Sequence, residues 1–143
     1  VNDMCGKVNY MPPEVIRGDA KVDPYAGDVW SAGIVLFYCL LGFPPMERAS
    51  PDDQRYSLIM GGDLLALLKH WQVELSEEVL SLIVLILQED AAKRPSLTAI
   101  LEHSWLQSEK RRYEEITGYS LDSNQKMQID EEEEKEEDNE ETR

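Results

Sequence analysis

Cysteine and histidine are scarce in this 143-residue chain, two of each, and the scarcity excludes several kinds of chemistry. Cys5 and Cys39 are far apart and neither has a Cys or His at metal-ligand spacing, so no disulfide framework and no zinc site is expected. His70 and His103 fall in helix-forming stretches without a nucleophile at meaningful spacing, and both read as structural. Strand-like alternation of useful length is missing, as is any internal repeat. The N-terminus lacks a basic region followed by an apolar run and a small-residue cleavage site. No secretory signal is read there, and a cytoplasmic or nuclear setting follows.

Basic charge is also in short supply. Fourteen Lys and Arg face 29 Asp and Glu, a net charge of −15. Over half of that excess lies between Asp130 and Arg143, where ten acidic residues meet two basic ones and no apolar residue occurs. Such a segment cannot offset the entropy of ordering and is expected to be a disordered, solvating tail. The same balance argues against nucleic acid and acidic membranes as partners, since both present phosphate.

One long apolar run stands out, from Val29 to Phe43. About fifteen helical residues cover roughly 22 Å, short of a ~30 Å hydrocarbon core, so the run is read as a helix buried on all sides in protein. It is expected to begin near Ala26 to Asp28 and to end at Leu41, where Gly42 suits a left-handed cap and Pro44-Pro45 forbid continuation. The residues before it, rich in Gly and Pro, are expected to be loop. Ser50-Pro51-Asp52-Asp53 predicts a second helix over about residues 51–60, with Ser50 as its cap. Leu64 to Leu68 give a short amphipathic piece before Trp71. Ser76 starts a helix whose run from Val79 to Leu87 is too continuously apolar for the surface and should pack on the first. Ser96 caps another, with Leu97, Ile100, Leu101 and Trp105 at helical spacing. Residues 109–117 either extend it or form a separate segment ending at Gly118.

The most specific signal is an ordered set of motifs. Met11-Pro12-Pro13-Glu14-Val15 is followed, fourteen residues after Glu14, by Asp28-Val29-Trp30-Ser31-Ala32-Gly33. Lys93-Arg94-Pro95-Ser96 and His103-Ser104-Trp105-Leu106 close the pattern. Together these resemble the second half of the eukaryotic protein-kinase domain, from the end of the activation segment onward. The resemblance implies a mainly α fold, the helical C-lobe subdomain of a kinase, truncated. It places a partial kinase domain over residues 1–107, a C-terminal extension over 108–121 and the disordered acidic tail over 122–143.

The resemblance also assigns roles. Glu14 and Arg94 would form a buried ion pair, a job suited to a guanidinium–carboxylate fork because a lone buried charge is costly. Asp28 would accept backbone hydrogen bonds from a catalytic loop that this sequence does not contain, Gly33 belongs to the same core helix, and Trp30 and Trp105 would pack in the core. Cys5, Gly6, Lys7, Val8 and Tyr10 match the family's substrate-positioning loop, and Asn9-Tyr10 favours a Ser/Thr over a Tyr kinase. Lys7 stands where the family usually has Thr, and Val8 where it has Pro. Asp3 occupies the place of an activating phosphothreonine, for which a carboxylate is a partial electrostatic substitute.

The sequence contains neither a Gly-rich phosphate loop, nor a His-Arg-Asp base, nor an Asp-Phe-Gly metal motif. No catalytic, cofactor-binding or metal-ligating residue is therefore assigned in this chain, and ATP and magnesium are implied only for the full-length parent kinase. The chain reads as part of a longer one, with a non-catalytic, pseudokinase-like binding or scaffolding module as the alternative. Protein substrates or regulators are the partners implied, through the substrate loop and the helix near Pro51–Met60.

Overall fold

A computed structural model of the protein describes residues 8–121, and every regular element among them is helical. The seven α-helices are α1 (Pro13–Arg17), α2 (Pro24–Leu41), α3 (Gln54–Met60), α4 (Leu64–His70), α5 (Glu77–Ile86), α6 (Leu97–Leu101) and α7 (Ser104–Thr117). Short 3-10 turns lie at Val8–Tyr10 and Ala91–Lys93. Two compact units divide the chain, one ending at Trp105 and one beginning at Leu106. The expectations for Asp3, Cys5, Gly6, Lys7 and the acidic tail over 122–143 lie outside the described residues.

The first unit is organised around α2. Its start is two residues earlier than the sequence suggested, because Asp23 and Pro24 together form the N-terminus: the Asp23 carboxylate accepts from the Tyr25 N–H at 2.9 Å. Gly42, at φ +81°, closes the far end, its N–H donating to the Tyr38 carbonyl. The helix buries Trp30, Gly33, Ile34 and Phe37, while Asp28, Ala32, Val35 and Cys39 form an exposed stripe. The expectation of burial on all sides is thus corrected: one face lies in protein and the other is open. By length and composition alone α2 is long and apolar enough to cross a membrane.

Helix α5 packs on the buried face of α2. Ser76 caps it as its sequence requires, accepting from the Val79 N–H at 3.4 Å. Val79, Leu82, Ile83 and Ile86 are buried, and Gly33 is what lets the two helices meet: a Cβ there would lie 2.5 Å from Ile86 Cγ2 and 3.0 Å from Leu87 Cδ2. Val84 and Leu85 are exposed, so the apolar run is not wholly internal as expected. An aromatic cluster of Phe37, Phe43 and Trp71 fills the far end of α2, with centroids 5.1 to 6.3 Å apart and edge-to-face angles.

Two helix starts differ from expectation for a shared physical reason, a side chain with better-placed donors nearby. Helix α3 begins at Gln54 and is capped by Asp53, not Ser50. The Asp53 carboxylate gathers four backbone N–H groups, Glu47 at 2.7 Å, Arg48 at 3.2 Å, Arg55 at 2.9 Å and Tyr56 at 3.3 Å. Burial pushes this carboxyl up, but those four donors outweigh it and hold it below the usual range. Ser50 instead donates to Asp52. The late helix is not continuous from Leu97 to Trp105: α6 stops at Leu101, and α7 restarts at Ser104 with the His103 ring accepting from the Trp105 N–H at 3.3 Å. Trp105 is half-buried, not a core residue, whereas Trp30 is fully buried.

The second unit continues α7 to Thr117, so residues 109–117 belong to one helix with Ser104. Gly118, at φ +74°, ends it. Beyond that point the Glu114 carboxylate accepts from the Leu121 N–H at 2.8 Å and folds the following residues back on the helix.

Candidate functional site

The chemistry of the first unit concentrates where α1, the start of α2 and the turn before α6 converge. Glu14, the second residue of α1, is in a short helix and not in the loop expected there. Pro12 in extended backbone and Pro13 at the first helical position set that helix up, and Gly18 at φ +75° ends it. Eighty residues later, Arg94 follows the Ala91–Lys93 turn, itself capped by Asp90 through the Ala92 N–H. The guanidinium and carboxylate meet as a fork, Nη1 to Oε1 and Nη2 to Oε2, both at 2.7 Å. Their side chains are 1% and 6% exposed, so the pair is sealed from water.

Arg94 is used to capacity. Besides Glu14 it donates to the carbonyls of Gln88 at 2.9 Å, Ala26 at 2.8 Å and Glu89 at 3.4 Å. Its guanidinium carbon lies 5.1 Å from the centroid of the Trp30 ring. One side chain thus fastens α1, the start of α2 and the residues after α5. Burial alone pushes the Glu14 carboxyl up; hydrogen bonds from Arg94 and from its own backbone N–H, with the charges of Arg94 and Arg17, outweigh that and hold it below the ordinary range. Such a pair is costly to break, because either partner left alone is a buried ion.

The residues leading into α1 are tied to the same scaffold. Ser31 Oγ lies 2.9 Å from the Tyr10 carbonyl and 3.1 Å from that of Gly27. The Tyr10 ring stacks on Tyr38 at 5.9 Å with planes 17° apart. Val8 and Tyr10 are half-buried. Sequence reading quoted Ser31 inside a motif without giving it a role, and passed over Tyr38; a hydroxyl one turn after Gly27 on a buried helix is the signal that was available. Asp53, the hub of the 47–56 segment, was also missed as a cap because Ser50 matched the same pattern.

Asp28 is placed differently from the others. It is exposed on α2, heads the stripe of Ala32, Val35 and Cys39, and its side chain makes no hydrogen bond or ion pair among the described residues. Helix capping does not explain it, since Asp23 performs that task.

Beside α3 an open groove of about 700 Å³ runs past Ile59, Met60, Val84, Leu87, Glu89 and Lys93. Arg17 at its edge bridges Asp19 at 3.0 Å and Glu89 at 3.6 Å. Tyr56, buried close by, has its phenol pushed up by burial and then by the Glu89 carboxylate, so it stays protonated. His70 and His103 stand apart from the ion-pair site. His103 does have a hydroxyl partner, Ser81 Oγ at 3.1 Å from its Nε2, that linear spacing concealed.

No group of three or more His, Cys, Asp or Glu among the described residues could hold a metal. The positive-φ glycines, Gly18, Gly42, Gly62 and Gly118, are isolated helix-end or turn positions, not a phosphate cradle.

Comparison with known proteins agrees with this scaffold. Residues 1–106 match the family model described as protein kinase domain. The chain is 34% identical over 103 residues to a probable cell cycle serine/threonine-protein kinase, a CDC5 homolog, of Encephalitozoon cuniculi, covering 72% of this chain and 21% of that protein. It is 36% identical over 112 residues to Aurora kinase B of Danio rerio, covering 76% and 32%. With the SNF-related serine/threonine-protein kinase of Homo sapiens the identity is 36% over 103 residues, covering 72% and 12%. The chain thus spans a third or less of the length of each of these relatives.

Proposed function

Because this chain belongs to the protein kinase family, we propose that it is the substrate-positioning and scaffold portion of a Ser/Thr protein kinase whose complete domain phosphorylates proteins with ATP and magnesium. The observation that carries this reading is the sealed Glu14–Arg94 fork, with Tyr10 held to α2 through Ser31 and Tyr38. A rigid base of this kind presents residues 5–10 to a protein substrate while supplying none of the phosphate chemistry itself. Gly6 and Lys7 lie nearest the substrate in this reading, Glu14, Trp30, Gly33 and Arg94 hold the frame, and Asp28 receives the catalytic loop of the parent domain. The groove beside α3 serves protein substrates or regulators.

Sequencing the transcript upstream of Val1 tests the proposal. An in-frame His-Arg-Asp and Asp-Phe-Gly are expected, and a protein assembled with them transfers labelled phosphate to Ser or Thr of a generic substrate such as casein. An initiating Met with a stop codon before it, directly upstream, overturns the reading.

A second reading rests on Lys7. A cation in the place of the usual Thr meets the catalytic Lys of the parent domain as a like charge and weakens transfer, leaving a binding module. Lys7→Thr separates the two: activity that rises from nothing supports the module, and activity already present in the unaltered parent refutes it.

A further inference from the structure

Three hydrogen bonds at the end of the first unit fix the proton of one histidine. Ser81 Oγ lies 2.7 Å from the Glu78 carbonyl, an acceptor only, so its single proton is spent there. Toward His103 Nε2, 3.1 Å away, Ser81 can therefore offer only a lone pair, and Nε2 must carry hydrogen. On the other side of the ring Nδ1 accepts from the Trp105 N–H at 3.3 Å and must be bare. Both constraints select the same neutral tautomer. They also exclude His103 as a base toward Ser81, although the distance alone would suit a nucleophile pair.

We infer that His103 is a proton-sensitive cap on α7: neutral, it holds the first turn of the helix; protonated, it releases it. A second proton lands on Nδ1 and faces the Trp105 N–H, donor against donor, so the hydrogen bond is lost. Nothing nearby takes over. The first turn of α7 has no acidic residue, and α6 carries no charged residue at all. The carboxylates on the adjoining segments are Glu77 and Glu78 in the first turn of α5 and Glu102 next to His103. None forms an ion pair with the ring among the described residues, so no partner offsets the acquired charge. His103 lies two residues before the last residue of the first unit, and α7 is the helix that carries the chain into the second. Acid thus loosens the first turn of α7 while leaving the Glu14–Arg94 frame intact.

The test is amide exchange by NMR on the full chain, expressed as protection factors at Trp105 and Leu106, from pH about 7.5 down to about 5.5 across the histidine range. Protection in the unaltered protein is expected to fall about five-fold, the worth of a typical cap, in step with the His103 ring titration. His103→Asn retains an acceptor that does not titrate and is expected to keep its protection at both pH values. His103→Ala is expected to be low at both. Ring nitrogen shifts at the higher pH should show hydrogen on Nε2. Hydrogen on Nδ1, protection that stays flat while the ring titrates, or an equal fall in His103→Asn, which would trace the effect to carboxylates, each overturns the inference.

Discussion

Truncating Arg94 is the most informative perturbation of this fold, and its cost can be worked from the contacts. Arg94→Ala removes the cation that, among the described residues, is bonded to the Glu14 carboxylate, which is 6% exposed, and strips the carbonyls of Ala26, Gln88 and Glu89 of a donor. Removing one partner of a buried pair costs about 3–5 kcal/mol. The reverse truncation is milder, because in Glu14→Ala the guanidinium keeps three carbonyls and the Trp30 face. Arg94→Ala should therefore exceed Glu14→Ala by about 1.5–3 kcal/mol, the scale of a hydrogen bond to a charged group. The double variant should cost less than the sum, with a coupling of about 2–3 kcal/mol. Urea melts followed by circular dichroism at neutral pH measure all four corners. A domain at the low end of the ordinary range, roughly 5–15 kcal/mol, would be unfolded by the larger loss. Arg94→Lys covers that case, since it keeps the charge, loses the fork and should cost about 1–2 kcal/mol. Equal single costs, or a coupling under about 0.5 kcal/mol, would refute the picture of a sealed and shared ion pair.

The remaining predictions concern acid and packing. Glu14 and Asp53 both have folded pKa values below their ordinary 4.5 and 3.8. Their contribution is therefore complete above those ordinary values and disappears as pH falls through the lowered folded ones. Asp53→Asn should lower stability by about 1–2 kcal/mol at neutral pH and flatten the acid limb of a stability-against-pH curve, readable from urea midpoints. Gly33→Ala should destabilise by about 1–3 kcal/mol, because its Cβ would enter the space of Ile86 Cγ2. Gly27→Ala, whose Cβ would meet only Pro12 Cγ at 3.7 Å, should be neutral or stabilising by up to about 1 kcal/mol; thermal melts of the two variants separate packing from helix propensity.

Much of this arrangement was legible before any coordinates, and the parts that were not share a cause. The meeting of Glu14 with Arg94, 80 residues apart, was implied by the family resemblance that the ordered motifs carry. The end of α2 at Gly42 followed from backbone chemistry that is wholly local. The start of α3 did not, since Ser50 and Asp53 are both good caps. What decided between them was the nearness of the Glu47 and Arg48 N–H groups, which only the folded loop supplies. Along α5 the apolar run has no period, so nothing in it distinguished Ile83, in the core, from Val84, outside. The break between α6 and α7 turned on a histidine acting as a cap, a role in which that residue type is seldom sought. At the ion-pair site the legible residues were those whose charge must be answered by another charge; Ser31 and Tyr38, which answer a backbone carbonyl and a ring, carried no such demand.

The separation of Glu14 from Arg94 also sets a timetable. A ribosome delivers the chain from its N-terminal end, so the carboxylate emerges long before the guanidinium that answers it. During that interval Glu14 stays hydrated, α1 is tied to α2 only through the Tyr10 contacts with Ser31 and Tyr38, and the Trp30 ring lacks its cation. The entropy of closing so long a loop grows only slowly with length, but the delay grows with every residue translated. A nascent chain paused before residue 77, where α5 begins, would present to its surroundings the face of α2 that α5 covers. The fork that fastens the finished unit is thus also a late bolt, drawn only after α5 has been delivered to the face of α2.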